Sequence, residues 1–110
     1  MNEIVVFYYT NLQFEINILI NDLSDMANAI GVYFKEDRKN NILKIGNCEI
    51  WFSTCNSPFQ ILSYKGPDYV VFDMEKEIFK KNRIRLTDRM RENTEIVTKK
   101  EILKILFEND

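Results

Sequence analysis

Asp73, Glu75 and Glu77 follow an apolar run, Tyr69–Phe72, at alternate positions. A carboxylate at the carboxyl end of a parallel strand is where α/β proteins hold metals and ligands. The same acids at the start of a helix would favour its positive end. Both readings stay open on the sequence, and nothing in it sets two carboxylates at a separation suited to paired-acid hydrolysis. Histidine is absent, which removes Ser-His and Cys-His nucleophiles and the commonest metal ligand together. Cys48 and Cys55 lack the short spacing of a structural zinc site. Cys48 is expected to be a small hydrophobe in a strand and Cys55 a loop thiol of no special reactivity. With Gly31, Gly46 and Gly66 the only glycines, neither a Walker A loop nor a dinucleotide fingerprint can be written. No catalytic residue, metal or cofactor is expected.

The elements that would carry these residues are legible in part. Ile4–Tyr9 is continuously apolar, β-branched and aromatic, as in a strand buried on both faces. Thr10 with Gln13 has capping-box spacing. Leu12, Ile16, Leu19, Leu23, Met26 and Ile30 then follow at steps of three and four, one stripe of a helix over 11–30 closed by Gly31. A short strand is expected at Val32–Phe34, with a turn over Lys35–Asn41. Ile42–Ile45 and Cys48–Ser53 flank Gly46-Asn47, a two-residue hairpin signal. Gly66-Pro67-Asp68 marks a sharp turn, and Tyr69–Phe72 a second buried strand, parallel to the first through a crossover. A helix over about 74–92 carries Ile78, Phe79, Leu86 and Met90 on one face. Thr98 with Glu101 caps a last helix over 99–108. The expectation is one α/β domain over 1–110, or an α+β one, with a small sheet of about 4–5 strands built from a parallel βαβ pair and a hairpin.

Composition suits that class. The chain has 110 residues, 45% hydrophobic and 29% charged, enough for one core and too apolar for a disordered segment. No run approaches the roughly 20 apolar residues that cross a bilayer, and no signal peptide or disulfide framework is evident, so a cytoplasmic protein is expected. The net charge of −2 is unevenly spread: Glu3, Glu15, Asp22 and Asp25 precede the first base, Lys35, whereas Lys80, Lys81, Arg83, Arg85 and Arg89 cluster late. Such asymmetry marks either a phosphate-binding face or two surfaces of one domain. Trp51, opposite the face shared by Cys48, Ile50 and Phe52, is a candidate interface anchor, unless a helix covers it.

The order of these elements resembles the middle of a phage terminase large subunit, a packaging ATPase. IVVFYYTNLQ, a long helix, the hairpin NNILKIGNCEIWFS and the approach SYKGPDYVVFDME follow the family from the strand after its phosphate loop to its Walker B strand. Helicase-like ATPases share much of the pattern. The likeness spans roughly residues 4–75 and is one of element order. It implies an ATPase-like scaffold in which Asp73 corresponds to the magnesium-holding Asp. It departs from the family where Met74 displaces Glu75 by one position from the catalytic Glu, and where no phosphate loop precedes Ile4.

The resulting expectation is a non-catalytic binding protein of phage or prophage type. It would act by protein contact as a regulator or inhibitor of a larger nucleic-acid machine. The alternative is a nucleic-acid-binding accessory protein that uses the basic 76–91 segment. ATPase activity is conceivable only with a partner that supplies the phosphate loop. The purified chain should therefore release no phosphate from ATP above background with magnesium present. Release that disappears in Asp73→Ala would reverse this expectation.

Overall fold

The computed structural model describes residues 3–54, 66–87 and 94–107. Strand β1 (Ile4–Thr10) leads into helix α1 (Gln13–Ile30), then β2 (Phe34–Asp37), β3 (Ile42–Ile45) and β4 (Cys48–Thr54). Beyond these come β5 (Tyr69–Asp73), α2 (Lys76–Thr87), β6 (Glu95–Val97) and α3 (Lys99–Phe107). The strands form a single mixed sheet of order β2-β3-β4-β1-β5-β6. β1 is parallel to both β4 and β5, β5 is parallel to β6, and β2, β3 and β4 form an antiparallel meander. The α/β class holds, with six strands among the described residues rather than four or five. Among the described residues no helix is long and apolar enough to cross a membrane.

Two cores follow from the alternation of side chains along the central strands. On one face Val6, Tyr8, Cys48, Ile50, Phe52 and Val71 pack with Ile16, Ile20, Leu23 and Ala27 of α1 and with Ile102 and Leu106 of α3. On the other, Val5, Phe7, Tyr9, Trp51 and Val70 pack with Phe72 of β5, with Met74 after it, and with Ile78 and Phe79 at the start of α2. The sheet is thus sandwiched, with α1 and α3 on one side and α2 on the other.

Several sequence expectations change in register. Thr10 does not cap α1. It is the last residue of β1, fully buried, and its hydroxyl donates to the Leu12 carbonyl at 3.2 Å. The helix starts at Gln13, and Glu15 turns back to accept the Leu12 N–H at 3.0 Å. The buried stripe of α1 is Ile16, Leu19, Ile20, Leu23, Ser24 and Ala27, whereas Leu12, Met26 and Ile30 are exposed. A spacing of three and four fits more than one stripe on a helix, and contact with the sheet selects among them. Gly31 does close the helix, at φ +79°, with its N–H on the Asn28 carbonyl and that of Val32 on Ala27.

Strand β2 takes in Lys35, Glu36 and Asp37, which the sequence assigns to a turn. As an edge strand it tolerates charge. Its Glu36 also ties down α1, accepting from the Ser24 hydroxyl at 2.6 Å and from Arg38 at 3.1 Å. These hydrogen bonds, Arg38 first, lower the Glu36 pKa below its usual value. Strand β6 was hidden between the two late helices. Three residues long, it exists because Tyr69–Val71 pair with it. The second helix spans Lys76–Thr87 and the third Lys99–Phe107, the latter with the expected Thr98–Glu101 box, both bonds 3.1 Å.

Ile16→Ala and Leu19→Ala should each cost on the order of 2–5 kcal/mol in chemical denaturation, because both side chains leave a cavity against the sheet. Ile18→Ala, half exposed on the same helix, should cost less than about 1 kcal/mol. Equal losses at Ile16 and Ile18 would contradict this packing.

Candidate functional site

β1 and β5 are adjacent parallel strands, yet the helix after β1 lies on one face of the sheet and the helix after β5 on the other. The connections that leave their carboxyl ends therefore part, and α/β sheets place ligands in crevices of this kind. Thr10 and Asp73 are register partners at this point. Alternation sends the Asp73 side chain toward the α1 side, where its carboxylate accepts the Tyr8 hydroxyl at 2.8 Å. Asp73 is thus bound across the sheet and not to the start of α2.

Tyr8 is buried beside this carboxylate. Burial above all, and then the hydrogen bond and negative charge of Asp73, push its pKa up from 10.0. The phenol stays protonated at neutral pH and donates to the Asp73 carboxylate.

Between α1 and the beginning of α3 a groove of about 320 Å³ opens onto this end of the sheet. Phe14, Ile18 and Leu19 form its apolar part, and Glu15, Asp22, Asp73 and Lys99 its charged part. Phe14 is 58% and Ile18 50% exposed. One oxygen of Glu15 is engaged with the helix start and one of Asp73 with Tyr8, which holds both carboxylates in place while each keeps a second oxygen. Asp22 stands exposed one helical turn beyond Ile18. Three carboxylates and one ammonium around one ring and two aliphatic side chains suit a partner with cationic and aliphatic groups. Among the described residues no three Cys, Asp or Glu side chains are grouped to hold a metal ion. Glu75, one residue past the position that the terminase pattern requires, is exposed outside this groove.

The other candidates lie elsewhere. Trp51 is only 6% exposed and packs with Phe7, their ring centroids 6.4 Å apart. It is a core residue and not an interface anchor, because the face of β4 opposite Cys48, Ile50 and Phe52 is itself covered. Lys80, Lys81 and Arg83 are exposed on α2 and, with Asn82 and Ile84, line a depression of about 360 Å³ on the opposite side of the sheet from the groove. Arg85 belongs to the same helix, while Arg89 and Cys55 lie outside the described residues. Cys48 is buried, and burial, with the nearby Asp68 charge, raises its thiol pKa. The groove residues Phe14, Ile18 and Asp22 were missed on the sequence. Their signal was present: two large apolar residues four apart on the polar side of an amphipathic helix.

A scan of protein-family models finds none that matches this chain, and neither the curated proteins nor the solved structures give a match.

The Tyr8–Asp73 pair carries a pH dependence with a definite sign. A raised folded-state pKa means that the native protein holds this proton longer than the unfolded chain. The contribution is complete below pH 10 and is lost as pH rises above it, toward the higher folded value. Thermal melts should show a smaller decline between neutral and alkaline pH in Tyr8→Phe than in the parent. Asp73→Asn, which keeps an acceptor oxygen, should cost no more than about 1 kcal/mol at neutral pH.

Proposed function

We propose that this protein is a non-catalytic binding protein that acts by protein–protein contact through the α1 groove. The observation that carries this reading is the exposure of Phe14 and Ile18 beside Glu15, Asp22 and Asp73. Large apolar side chains grouped with polar neighbours mark contact surfaces. Machines that handle nucleic acid present basic surfaces to phosphate, and an acidic rim around an apolar floor is complementary to such a surface. The target is accordingly a larger nucleic-acid machine, which the protein regulates or inhibits in the cytoplasm. Its origin is of phage or prophage type, on a degenerate terminase-like scaffold.

A second reading has its own observation. Lys80, Lys81 and Arg83 share one exposed depression, which is suited to phosphate contact. Nucleic-acid binding there would weaken steeply with salt, because each neutralised phosphate releases counterions.

Co-purification from host cells, with the captured protein identified, should yield one dominant nucleic-acid-handling partner. The double variant Phe14→Ser and Ile18→Ser should lose it while keeping the parent melting temperature. Gel shifts of duplex and single-stranded DNA and RNA at low and moderate salt test the second reading. Tight, steeply salt-dependent binding, abolished by reversing the charges at Lys80, Lys81, Arg83, Arg85 and Arg89, would overturn the first.

A further inference from the structure

The outer side of α2 has the chemistry that the groove lacks. Lys76, Lys80, Lys81 and Arg83 are exposed on it against the single acid Glu77. Among them stands Ile84, 84% exposed and one helical turn from Lys80. An isoleucine this accessible on a packed helix contributes almost nothing to the fold. Its inner neighbours Ile78 and Phe79 already supply the contact with the sheet. The groove offers the converse, apolar Phe14 and Ile18 ringed by three carboxylates. α1 and α2 lie on opposite faces of one sheet, so the two surfaces cannot meet within a molecule.

We propose that the α1 groove takes the α2 helix of a second copy of this chain. Ile84 enters between Phe14 and Ile18, and Lys80, Lys81 and Arg83 face Glu15, Asp22 and Asp73. This rests on the reading of the groove as a protein-contact surface and names the partner that fills it when no other protein does. The amphipathic helix laid into a groove is a recurrent mode of recognition. The contact joins different surfaces on the two copies, so it is head-to-tail: each molecule keeps one free groove and one free helix, and assembly continues unless the rotation closes a ring. Ion pairs at an exposed rim are screened by salt, so self-association weakens as ionic strength rises. Another protein with a basic, apolar surface competes for the same groove.

Sedimentation velocity on the full chain tests this with two variants, one for each surface. Phe14→Ser with Asp22→Lys alters the groove, and Lys80→Glu with Ile84→Ser alters the helix. Should the first pair fail to fold, Ile18→Lys replaces it. The parent should form species that grow with concentration and dissociate with added salt. Each variant alone should be monomeric at concentrations where the parent is not. An equimolar mixture of the two should give a one-to-one dimer and nothing larger, since one intact groove meets one intact helix. A parent that stays monomeric at millimolar concentration and low salt overturns the proposal. So does a variant that assembles alone, or a mixture that stays monomeric. The contact reading itself fails separately, if the groove variant still captures the same host protein as the parent.

Discussion

Strand β1 sits in the middle of the sheet with a parallel neighbour on each side, and Val5 through Thr10 are all buried. Its backbone polar groups are met by β4 and β5, and both of its faces must be covered. Each buried large apolar side chain there contributes about 1.5–3 kcal/mol relative to exposure. The helices are disposed to meet this demand. α1 and α3 cover Val6 and Tyr8, and the start of α2 closes over Val5, Phe7 and Tyr9. At the amino end Asp68 fastens the arrangement. Its carboxylate accepts the Val5 N–H at 2.9 Å, its own N–H reaches the Val5 carbonyl at 2.8 Å, and its carbonyl takes the Glu95 N–H at 3.0 Å.

The groove is a by-product of the same constraint. The chain leaves β5 for α2 on the opposite face, so no helix follows β5 over the face that α1 and α3 share. α1 packs over the β1 and β4 side and α3 over the β5 side, and the space between them at the carboxyl end remains open. Phe14 and Ile18 stand at its margin because the buried stripe of α1 is already occupied by Ile16, Leu19, Ile20 and Leu23. Glu15 and Asp22, two of the four acids that precede Lys35, then line it, while most of the bases of α2 are displaced to the far side of the sheet. The charge segregation visible along the sequence becomes a segregation across the thickness of the molecule.

Rings transmit order through the layers. Tyr9 stacks on Phe72 at 5.7 Å, and Phe72 meets Phe79 of α2 at 4.8 Å. On the other face Tyr8 lies against Phe52 at 5.4 Å and fixes Asp73 through its hydroxyl. A single strand therefore anchors α2 through one ring and orients a groove carboxylate through the next.

Short-range patterns alone determined the class of fold, the two buried strands, the Gly46-Asn47 hairpin, the Gly31 stop and the Thr98 cap. Each depends on alternation, apolar continuity or turn chemistry that neighbouring residues impose on one another. Elements whose existence depends on a distant partner were decided only by tertiary structure. β6 forms because β5 offers it an edge, and β2 extends through charged residues because it lies at the sheet margin and binds α1 through Glu36. The fate of Trp51 and the choice of stripe on α1 belong to the same group. Strand alternation places Trp51 opposite Cys48, Ile50 and Phe52, but it is tertiary packing, with Ile78 and Phe79 of α2 taking part, that makes that face interior. Likewise Phe14, Ile18, Asp22, Asp73 and Lys99 are scattered over 86 positions of sequence. Spacing on α1 links the first three, but only the packing of α1 and α3 on one face of the sheet, with the end of β5 between them, adds Asp73 and Lys99.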